Sequence, residues 1–193
     1  MLYVMMGKSA TGKDTIYTRL LRRKNLHLKK IVPYTTRPKR KGEIEGQEYH
    51  FVDETVMQKL KDADKIIEHR CYKTIHGDWH YFTADDYTDI KEPGTRYITI
   101  GTLEAYVKLR DYYGSDYVVP IYVYVNDFER MKRSLARERR QESPSVAEVC
   151  RRFLADENDF SDVLLQAAKI EVMFENINID TCVDSISYMI EQN

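Results

Sequence analysis

Apolar residues cluster in short runs along the chain, and longer segments with helical spacing of apolar positions separate them. The runs at 2–6, 95–101 and 117–125 contain β-branched and aromatic residues without a strict polar alternation. Such runs are typical of strands that are covered on both faces. Strands of this kind that alternate with helices predict an α/β fold with a parallel sheet flanked by helices.

The same pattern predicts the order of the elements. Strands are predicted at 2–6, 30–34, 48–52, 66–72, 95–101, 117–125 and 171–175. Helices are predicted at 13–24, 53–62, 102–113, 127–140, 145–168 with a break near Ser161, and 181–191, and a further helix is expected after the aspartates at 85, 86 and 89. The block at 37–90 is polar and rich in aromatic residues, which indicates an insertion between the β-α units.

Composition and charge narrow the class of protein. The chain has 193 residues, 42% of them hydrophobic, which suffices for one well-buried core. The formal net charge is −1, with 30 basic and 31 acidic residues, so no overall field favours nucleic acid or a membrane surface as a partner. The apolar N-terminal run is too short for a signal sequence or a membrane span, and we expect a cytoplasmic protein.

Three cysteines, at 71, 150 and 182, are far apart and form no C-x-x-C pair. An odd number at this spacing argues against a disulfide framework or a zinc site, so we expect three buried, reduced thiols. His69, His76 and His80 lie near Cys71, but their spacing fits no common metal-ligand pattern.

The segment GKSATGKDT at 7–15 has the spacing of a phosphate-binding loop between a strand and a helix. Glycines at 7 and 12 allow backbone N–H groups to turn towards phosphate oxygens, and the helix that follows adds the positive end of its dipole. Lys13 would reach the outer phosphates, and Thr15 would bond a phosphate nearer the nucleoside. The predicted ATP-binding residues are Gly7, Lys8, Ser9, Ala10, Thr11, Gly12, Lys13, Asp14 and Thr15.

Asp14 stands where such loops normally carry a serine or threonine that binds magnesium. A carboxylate beside a polyphosphate would repel it unless a cation lies between them, so Asp14 is a candidate ligand of Mg²⁺, directly or through water. The alternative is an acidic residue that stabilises the first turn of the helix.

The connector TTRPKRKGEIEGQEY at 35–49 places Arg37 and Arg40 before Tyr49. Guanidinium groups bind phosphate oxygens in pairs of hydrogen bonds, and a tyrosine hydroxyl adds another donor. This cluster would bind a monophosphate. A solvated basic loop is the alternative.

Together, GKSATGKDT and TTRPKRKGEIEGQEYHFV resemble the guanylate kinase family, whose second motif runs T-T-R-x-P-R-x-G-E-x-x-G-x-x-Y-x-F-V. The resemblance implies that Arg37, Arg40 and Tyr49 bind the phosphate of the acceptor nucleotide. It also implies that Glu68 contacts the guanine edge and that Tyr81 and Thr83 complete the acceptor pocket.

The family fold has a core, an acceptor-binding insert and a lid. By resemblance, one domain over 1–193 would have its core at about 1–34, 92–126 and 165–193, its insert at 35–91 and its lid at 127–164. The lid pattern implies that Arg152 reaches the transferring phosphoryl group, with Arg139 as a further catalytic residue and Arg137 and Arg140 as companions. The segment FENIN resembles the family's adenine-side loop and implies a contact from Asn176.

Three departures from the family pattern concern the acceptor. Thr99 and Gly101 stand at positions where the family usually carries two acids, and Pro33 replaces a serine. Loss of an acid that reads the base should weaken discrimination between acceptors. Asp14 could restore the negative charge beside the metal that Thr99 no longer provides. The sequence also resembles ribose 1,5-bisphosphate phosphokinase in its G-K-D, so a phosphorylated sugar is an alternative acceptor.

The resemblance therefore implies transfer of the γ-phosphoryl group from ATP to GMP or dGMP. Mg²⁺ with ATP is the expected cofactor, and the expected partners are ATP and a nucleoside monophosphate, with no nucleic acid, no membrane, and a monomer or homodimer as the assembly. A non-catalytic guanylate-kinase-like module that binds phosphopeptides is a further alternative. The intact glycines and Lys13 of the loop argue against it.

Overall fold

The computed structural model of the chain describes residues 1–40, 42–74, 77–87 and 89–193. Its strands are β1 Leu2–Met6, β2 Leu28–Lys30, β3 Tyr34–Thr35, β4 His50–Phe51, β5 Ile66–Thr74, β6 Gly77–Ala84, β7 Arg96–Ile100, β8 Val118–Tyr124 and β9 Met173–Glu175. Its α-helices are α1 Lys13–Arg22, α2 Glu54–Asp62, α3 Leu103–Tyr113, α4 Asp127–Glu138, α5 Val146–Asp159, α6 Asp162–Ala167 and α7 Ile179–Gln192, and a 3₁₀ turn covers Lys24–Leu26.

Five strands form a sheet in the order β2-β7-β1-β8-β9, and every pair is parallel. All five residues of β1 are buried because the sheet is covered on both faces. Leu2, Val4 and Met6 pack in the cluster that contains α3, whereas Tyr3 and Met5 pack in the cluster that contains α1 and α7. The predicted α/β fold with a parallel sheet flanked by helices is confirmed.

A second sheet has the order β4-β3-β6-β5 and is built from residues between 34 and 84. Its main unit is the antiparallel pair of β5 and β6, while β3 and β4 contribute two residues each. The second sequence motif begins in β3 and ends just after β4, and most of it forms the connection between these two strands. The division into core, insert and lid remains our interpretation of these elements.

Two predicted elements differ from the structure. The single strand expected at 30–34 is divided, because Pro33 has no N–H for a ladder and the chain passes from β2 in the first sheet to β3 in the second. The helix expected after the aspartates at 85, 86 and 89 is absent from the described residues there. Tyrosine hydroxyls from distant segments bond all three carboxylates, and turns lead to β7.

The break in the long helix is confirmed, because α5 ends at Asp159 and α6 begins at Asp162. The expectation of three buried thiols is wrong for two of them. Cys71 and Cys150 are exposed, whereas Cys182 is buried on α7, and burial raises the pKa of its thiol to about 11. Across the described ranges, no helix has the length and apolar character needed to cross a membrane.

Candidate active site

The loop between β1 and α1 requires glycine at two positions. Gly7 has a φ of 155°, and a Cβ there would lie 2.4 Å from the carbonyl oxygen of Val123 on the neighbouring strand. Gly12 has a φ of 86° and precedes the first residue of α1, and a Cβ there would lie 2.6 Å from Nδ2 of Asn176. A side chain at either position would therefore displace the neighbouring segment as well as strain the backbone.

Side chains from within and outside the loop hold its shape. Thr11 is buried, and its hydroxyl donates a hydrogen bond of 2.9 Å to the carbonyl oxygen of Lys8. The amide of Asn176, also buried, donates a hydrogen bond of 2.8 Å to the carbonyl oxygen of Thr11. Asn176 therefore stabilises the loop backbone, and its predicted contact with ATP stays a prediction.

The lid helix α5 contacts the start of the loop through two acids. Glu157 pairs with the Lys8 ammonium at 2.7 Å, and Asp156 accepts a hydrogen bond of 2.8 Å from the backbone N–H of Ser9. Between these acids lies the fully buried guanidinium of Arg130, which is 3.2 Å from Asp156 and 2.8 Å from Glu157. Lys8 and Ser9 thus connect the loop to the lid, and the sequence did not single out these acids or Arg130.

A cavity of about 340 Å³ lies over the loop and the start of α1. Three arginines from the lid face the loop across it, Arg133 and Arg137 from α4 and Arg152 from α5. The complete lining is Ser9, Ala10, Gly12, Lys13, Asp14, Thr15, Arg133, Arg137 and Arg152. Within the described part of the chain, no hydrogen bond or ion pair engages the ammonium of Lys13, so its charge is available to an anion in this cavity.

The structure brings Arg152 to this cavity as the resemblance implies, but not Arg139. Arg139 is exposed at the C-terminal end of α4 and does not line the cavity. Sequence reasoning instead missed Arg133. The spacing of 130, 133 and 137 on one helix could have revealed it, because such residues share one face.

Glu148 holds Arg152 in place. Its carboxylate accepts a hydrogen bond of 2.7 Å from Nε of Arg152 and two further bonds from Arg151. These two guanidinium groups, Arg151 first, lower the pKa of Glu148 to about 2.

Arg37, the first arginine of the second motif, is already paired inside the protein. It is only 4% exposed, and its guanidinium lies 5.1 Å from the ring centre of Tyr49 and 5.4 Å from that of Phe51. Glu43 accepts two hydrogen bonds from it, one of 2.7 Å, and Arg37 together with the backbone N–H of Arg40 lowers the pKa of this acid to about 2. A phosphate would therefore meet Arg37 as one half of an ion pair.

The two residues expected at the base edge of the acceptor lie together. Glu68 on β5 and Thr83 on β6 are register partners and are both buried. The Thr83 hydroxyl donates a hydrogen bond of 2.9 Å to Glu68. Arg70, which the sequence did not single out, also pairs with Glu68, with 3.1 Å between its Nε and a carboxylate oxygen.

A second cavity, of about 460 Å³, lies between the two sheets. One wall carries Arg70, Tyr72, Trp79 and Tyr81 from β5 and β6, and the other contains Ile100, Gly101 and Thr102 at the end of β7. Lys13, Pro33 and Tyr49 complete the lining. Aromatic rings beside charged and hydroxyl groups suit a planar base with polar edges.

Asp14 borders the cavity over the phosphate loop and also a third cavity, of about 560 Å³, which it shares with Thr99. Its carboxylate is exposed in the first turn of α1. Mg²⁺ typically takes one or two protein carboxylates and completes its shell with water and phosphate oxygens, so Asp14 fits as one ligand. Within the described ranges, no three side chains of His, Cys, Asp or Glu cluster as a metal site.

His69 and His80 approach each other on the second sheet, with 2.7 Å between Nε2 of the first and Nδ1 of the second. Burial, first, and the neighbouring His80 lower the pKa of His69. His76 lies outside the described residues.

Comparison with known proteins shows that this chain is similar to guanylate kinases. The family model described as guanylate kinase matches residues 1–86. The guanylate kinase of Anaplasma phagocytophilum is 28% identical over 145 residues, which are 75% of this chain and 67% of that protein. The crystal structure of guanylate kinase from the same organism covers 100% of this chain and is itself covered to 85%, with a TM-score of 0.67 and 20% identity.

Two relatives show higher identity over shorter aligned segments. The guanylate kinase of Baumannia cicadellinicola is 42% identical over 81 residues, which are 40% of each chain. That of Mycobacterium tuberculosis is 42% identical over 77 residues, which are 40% of this chain and 35% of the relative. The matched segment thus spans less than half the length of these two relatives.

Proposed function

We propose that the chain is a member of the guanylate kinase family of nucleoside monophosphate kinases and that it transfers the γ-phosphoryl group of ATP to the phosphate of GMP. In this reaction a phosphate oxygen of GMP forms a bond to the γ-phosphorus. The bond between that phosphorus and the oxygen bridging to the β-phosphate breaks, which leaves ADP and GDP. dGMP, which differs only at the ribose, is the second acceptor we expect.

The position of Lys13 carries this proposal. Lys13 lines the cavity over the phosphate loop and also the cavity that contains Tyr49 and Tyr81 of the acceptor region. A cation shared by two adjoining cavities is suited to a phosphoryl group that passes from a ligand in one to a ligand in the other.

On the donor side, the backbone of the loop binds the phosphates of ATP. Lys13, Arg137 and Arg152 neutralise the charge on the oxygens of the transferring group. Phosphoryl transfer depends mainly on positioning and on such charge neutralisation, so no side-chain nucleophile is needed.

On the acceptor side, the phosphate of GMP binds to Arg37, Arg40 and Tyr49. Because Glu43 occupies the Arg37 guanidinium, the phosphate must share that group or displace the carboxylate. Glu68 accepts hydrogen bonds from the base, while Tyr81 and Thr83 shape the same pocket.

Water must be excluded, since it would otherwise accept the phosphoryl group. Lys13 lines one cavity with the lid arginines and another with residues of the second sheet, so the approach of these two regions over the substrates would enclose the reacting atoms. We therefore expect α4 and α5 to move towards the second sheet when both substrates bind.

Mg²⁺ would be held by Asp14 and by the phosphates of ATP. When bound, it would neutralise phosphate charge and fix the conformation of the polyphosphate.

The test is a coupled assay of ADP release with GMP, dGMP, AMP, UMP, CMP and ribose 1,5-bisphosphate as acceptors. A reaction without acceptor measures the hydrolysis of ATP. We expect turnover with GMP and dGMP well above that background and above the other acceptors. The absence of turnover with every nucleotide would overturn the proposal. The relatives reported above are guanylate kinases, so neither a sugar-phosphate kinase nor a non-catalytic binding module is supported.

A further inference from the structure

Arg70 lies in the wall that β5 and β6 contribute to the second cavity, of about 460 Å³, which is the proposed acceptor site. Residues 68, 70 and 72 of β5 share a face because side chains alternate along a strand. They are opposite Thr83, Tyr81 and Trp79 of β6, respectively. Arg70 thus lies between the predicted base-binding acid and the aromatic residues that line the cavity.

The guanidinium of Arg70 covers the carboxylate of Glu68. Nε and one terminal nitrogen lie 3.1 and 3.4 Å from the two carboxylate oxygens. The side chain of Glu68 is only 2% exposed, whereas that of Arg70 is 21% exposed. The cavity is therefore lined by the arginine, which lies against Glu68, the acid that the resemblance assigns to the guanine edge.

Arg70 keeps donors for a ligand. A guanidinium carries five N–H groups, and the contacts with Glu68 use only Nε and one terminal nitrogen. Within the described residues, the other terminal nitrogen makes no hydrogen bond. Among the described residues that line this cavity, Arg70 and Lys13 are the two cationic side chains.

The hydroxyl of Thr83 cannot donate to the base in this arrangement. A hydroxyl has one proton, and that of Thr83 is directed to Glu68. The edge of guanine presents N–H donors at N1 and N2 and acceptors at O6 and N7. Glu68 can satisfy the donors, but the acceptors need a donor from the protein, and Arg70 both contacts Glu68 and lines the cavity.

We propose that Arg70 is a specificity-determining residue that donates hydrogen bonds to O6 and N7 of guanine and orients Glu68 towards N1 and N2. This inference rests on the proposed phosphorylation of GMP. Adenine carries an amino group in place of O6, so it would meet the guanidinium with donor against donor. Arg70 thereby supplies discrimination that Thr99 and Gly101 do not provide.

The test combines a variant of the residue with a variant of the substrate. 6-Thio-GMP keeps the N–H groups of guanine and replaces O6 with sulfur, which is a weak hydrogen-bond acceptor. We measure kcat/KM for GMP and 6-thio-GMP with wild type, Arg70→Gln and Arg70→Lys. Lys73→Gln, an exposed residue on the opposite face of β5, is the matched control.

The wild type and the control should prefer GMP by about tenfold to 100-fold, the effect of a good paired contact to guanine. In Arg70→Gln this ratio should fall to about threefold or less. Arg70→Lys keeps the charge beside Glu68 but loses the planar fork, so it should give an intermediate ratio even if the glutamine variant does not fold.

The outcomes separate the two proposals. If wild type does not phosphorylate GMP, both are overturned. If wild type phosphorylates GMP and the ratio is unchanged in the folded Arg70 variants, only the assignment of Arg70 is overturned.

Discussion

The donor and acceptor sides of the site differ in how their cations are held. Within the described residues, the ammonium of Lys13 on the donor side has no ion-pair partner. On the acceptor side, Arg37 is paired with Glu43 and Arg70 with Glu68. Lys13 thus presents a free charge on a preformed loop, whereas Arg37 and Arg70 present charges that are already partly neutralised, as Arg152 of the lid does through Glu148.

This difference has a consequence for the binding of the two substrates. A cation without a partner gains the full interaction free energy with an incoming phosphate. A paired arginine gains only the difference between its interaction with the phosphate and its interaction with the carboxylate that it already binds. Internal pairs also hold a buried guanidinium in the fold before the acceptor arrives, since an unpaired buried charge is costly. The acceptor side therefore favours selectivity over tight binding.

The largest effect is expected on the donor side, at Lys13. Lys13→Ala removes the cation shared by the two cavities, and kcat should fall by about 100-fold to 1,000-fold, as for other donors to a developing charge. Steady-state kinetics with GMP and ATP would measure the loss. Lys132→Ala, whose side chain is 79% exposed on α4, is the control and should behave as wild type. A similar kcat in both variants would remove Lys13 from the mechanism.

Substitutions in the lid should lower kcat less than Lys13→Ala does, and they should distinguish Arg152 from Arg139. Arg152→Ala should lower kcat by about tenfold to 100-fold, because Arg152 lines the cavity over the loop. Its exposed pair with Glu148 contributes little to stability, so the variant should remain folded. Arg139→Ala should stay within about twofold of wild type. The reverse order of effects would restore Arg139 as the catalytic arginine.

Substitutions of Asp14 test whether its carboxylate replaces the negative charge beside the metal that the acid missing at position 99 no longer provides. Asp14→Ala should raise the Mg²⁺ concentration for half-maximal turnover by about tenfold, because a metal loses a carboxylate ligand. Asp14→Ser, which provides a hydroxyl, should give a smaller shift. Titrations of Mg²⁺ at saturating ATP, with Asp116→Ala as the control acid, would measure this. If neither Asp14 variant changes the titration, the carboxylate only stabilises the first turn of α1.

The smallest effect is expected at Glu43 on the acceptor side, in how much thermal stability the protein loses at low pH. Hydrogen bonds from Arg37, first, and the backbone N–H of Arg40 lower the pKa of Glu43 from 4.5 to about 2. The stabilisation from this group is therefore complete above pH 4.5 and is lost as the pH falls towards 2. Glu43→Gln should lose less thermal stability than wild type between pH 5 and pH 2.5.

Glu148→Gln in the lid is the matched control for that measurement. The pKa of Glu148 is also lowered to about 2, but its side chain is 34% exposed, compared with 17% for Glu43. Solvent screens a more exposed pair more strongly, so the lid variant should change the acid response less. An equal response of the two variants would contradict the proposed difference between the regions.

Much of the fold was predictable because strands and helices of the core depend on local patterns. Every residue of β1 is buried, and its apolar run identified it without reference to the rest of the chain. The segment after Ala84 was predicted wrongly as helical. Its aspartates accept hydrogen bonds from the hydroxyls of Tyr34, Tyr97, Tyr112 and Tyr113, and no local pattern reveals the three of these partners that lie 27 to 52 residues away.

The candidate site divides in the same way. Gly7, Gly12 and Lys13 are predictable from one short segment because the loop needs a specific backbone shape between a strand and a helix. The arginines of the lid were only partly predictable: a helical face indicates that residues 130, 133 and 137 lie together, but not that the face meets the loop. Arg70 carried no signal, because nothing in its neighbours shows that it covers Glu68.

The sequence by itself determined the order of the elements, the shape of the phosphate loop and the residue types of a phosphate-binding connector. Each of these depends on backbone conformation and hydrophobic spacing over a few neighbouring residues. Only the tertiary structure decided which charges are free and which are paired: among the described residues Lys13 has no partner, while Arg37 pairs with Glu43 and Arg70 with Glu68. It also decided that Asn176 bonds a loop 165 residues earlier in the chain. Pairing depends on distance in space and on burial, and both arise only when separate segments pack together.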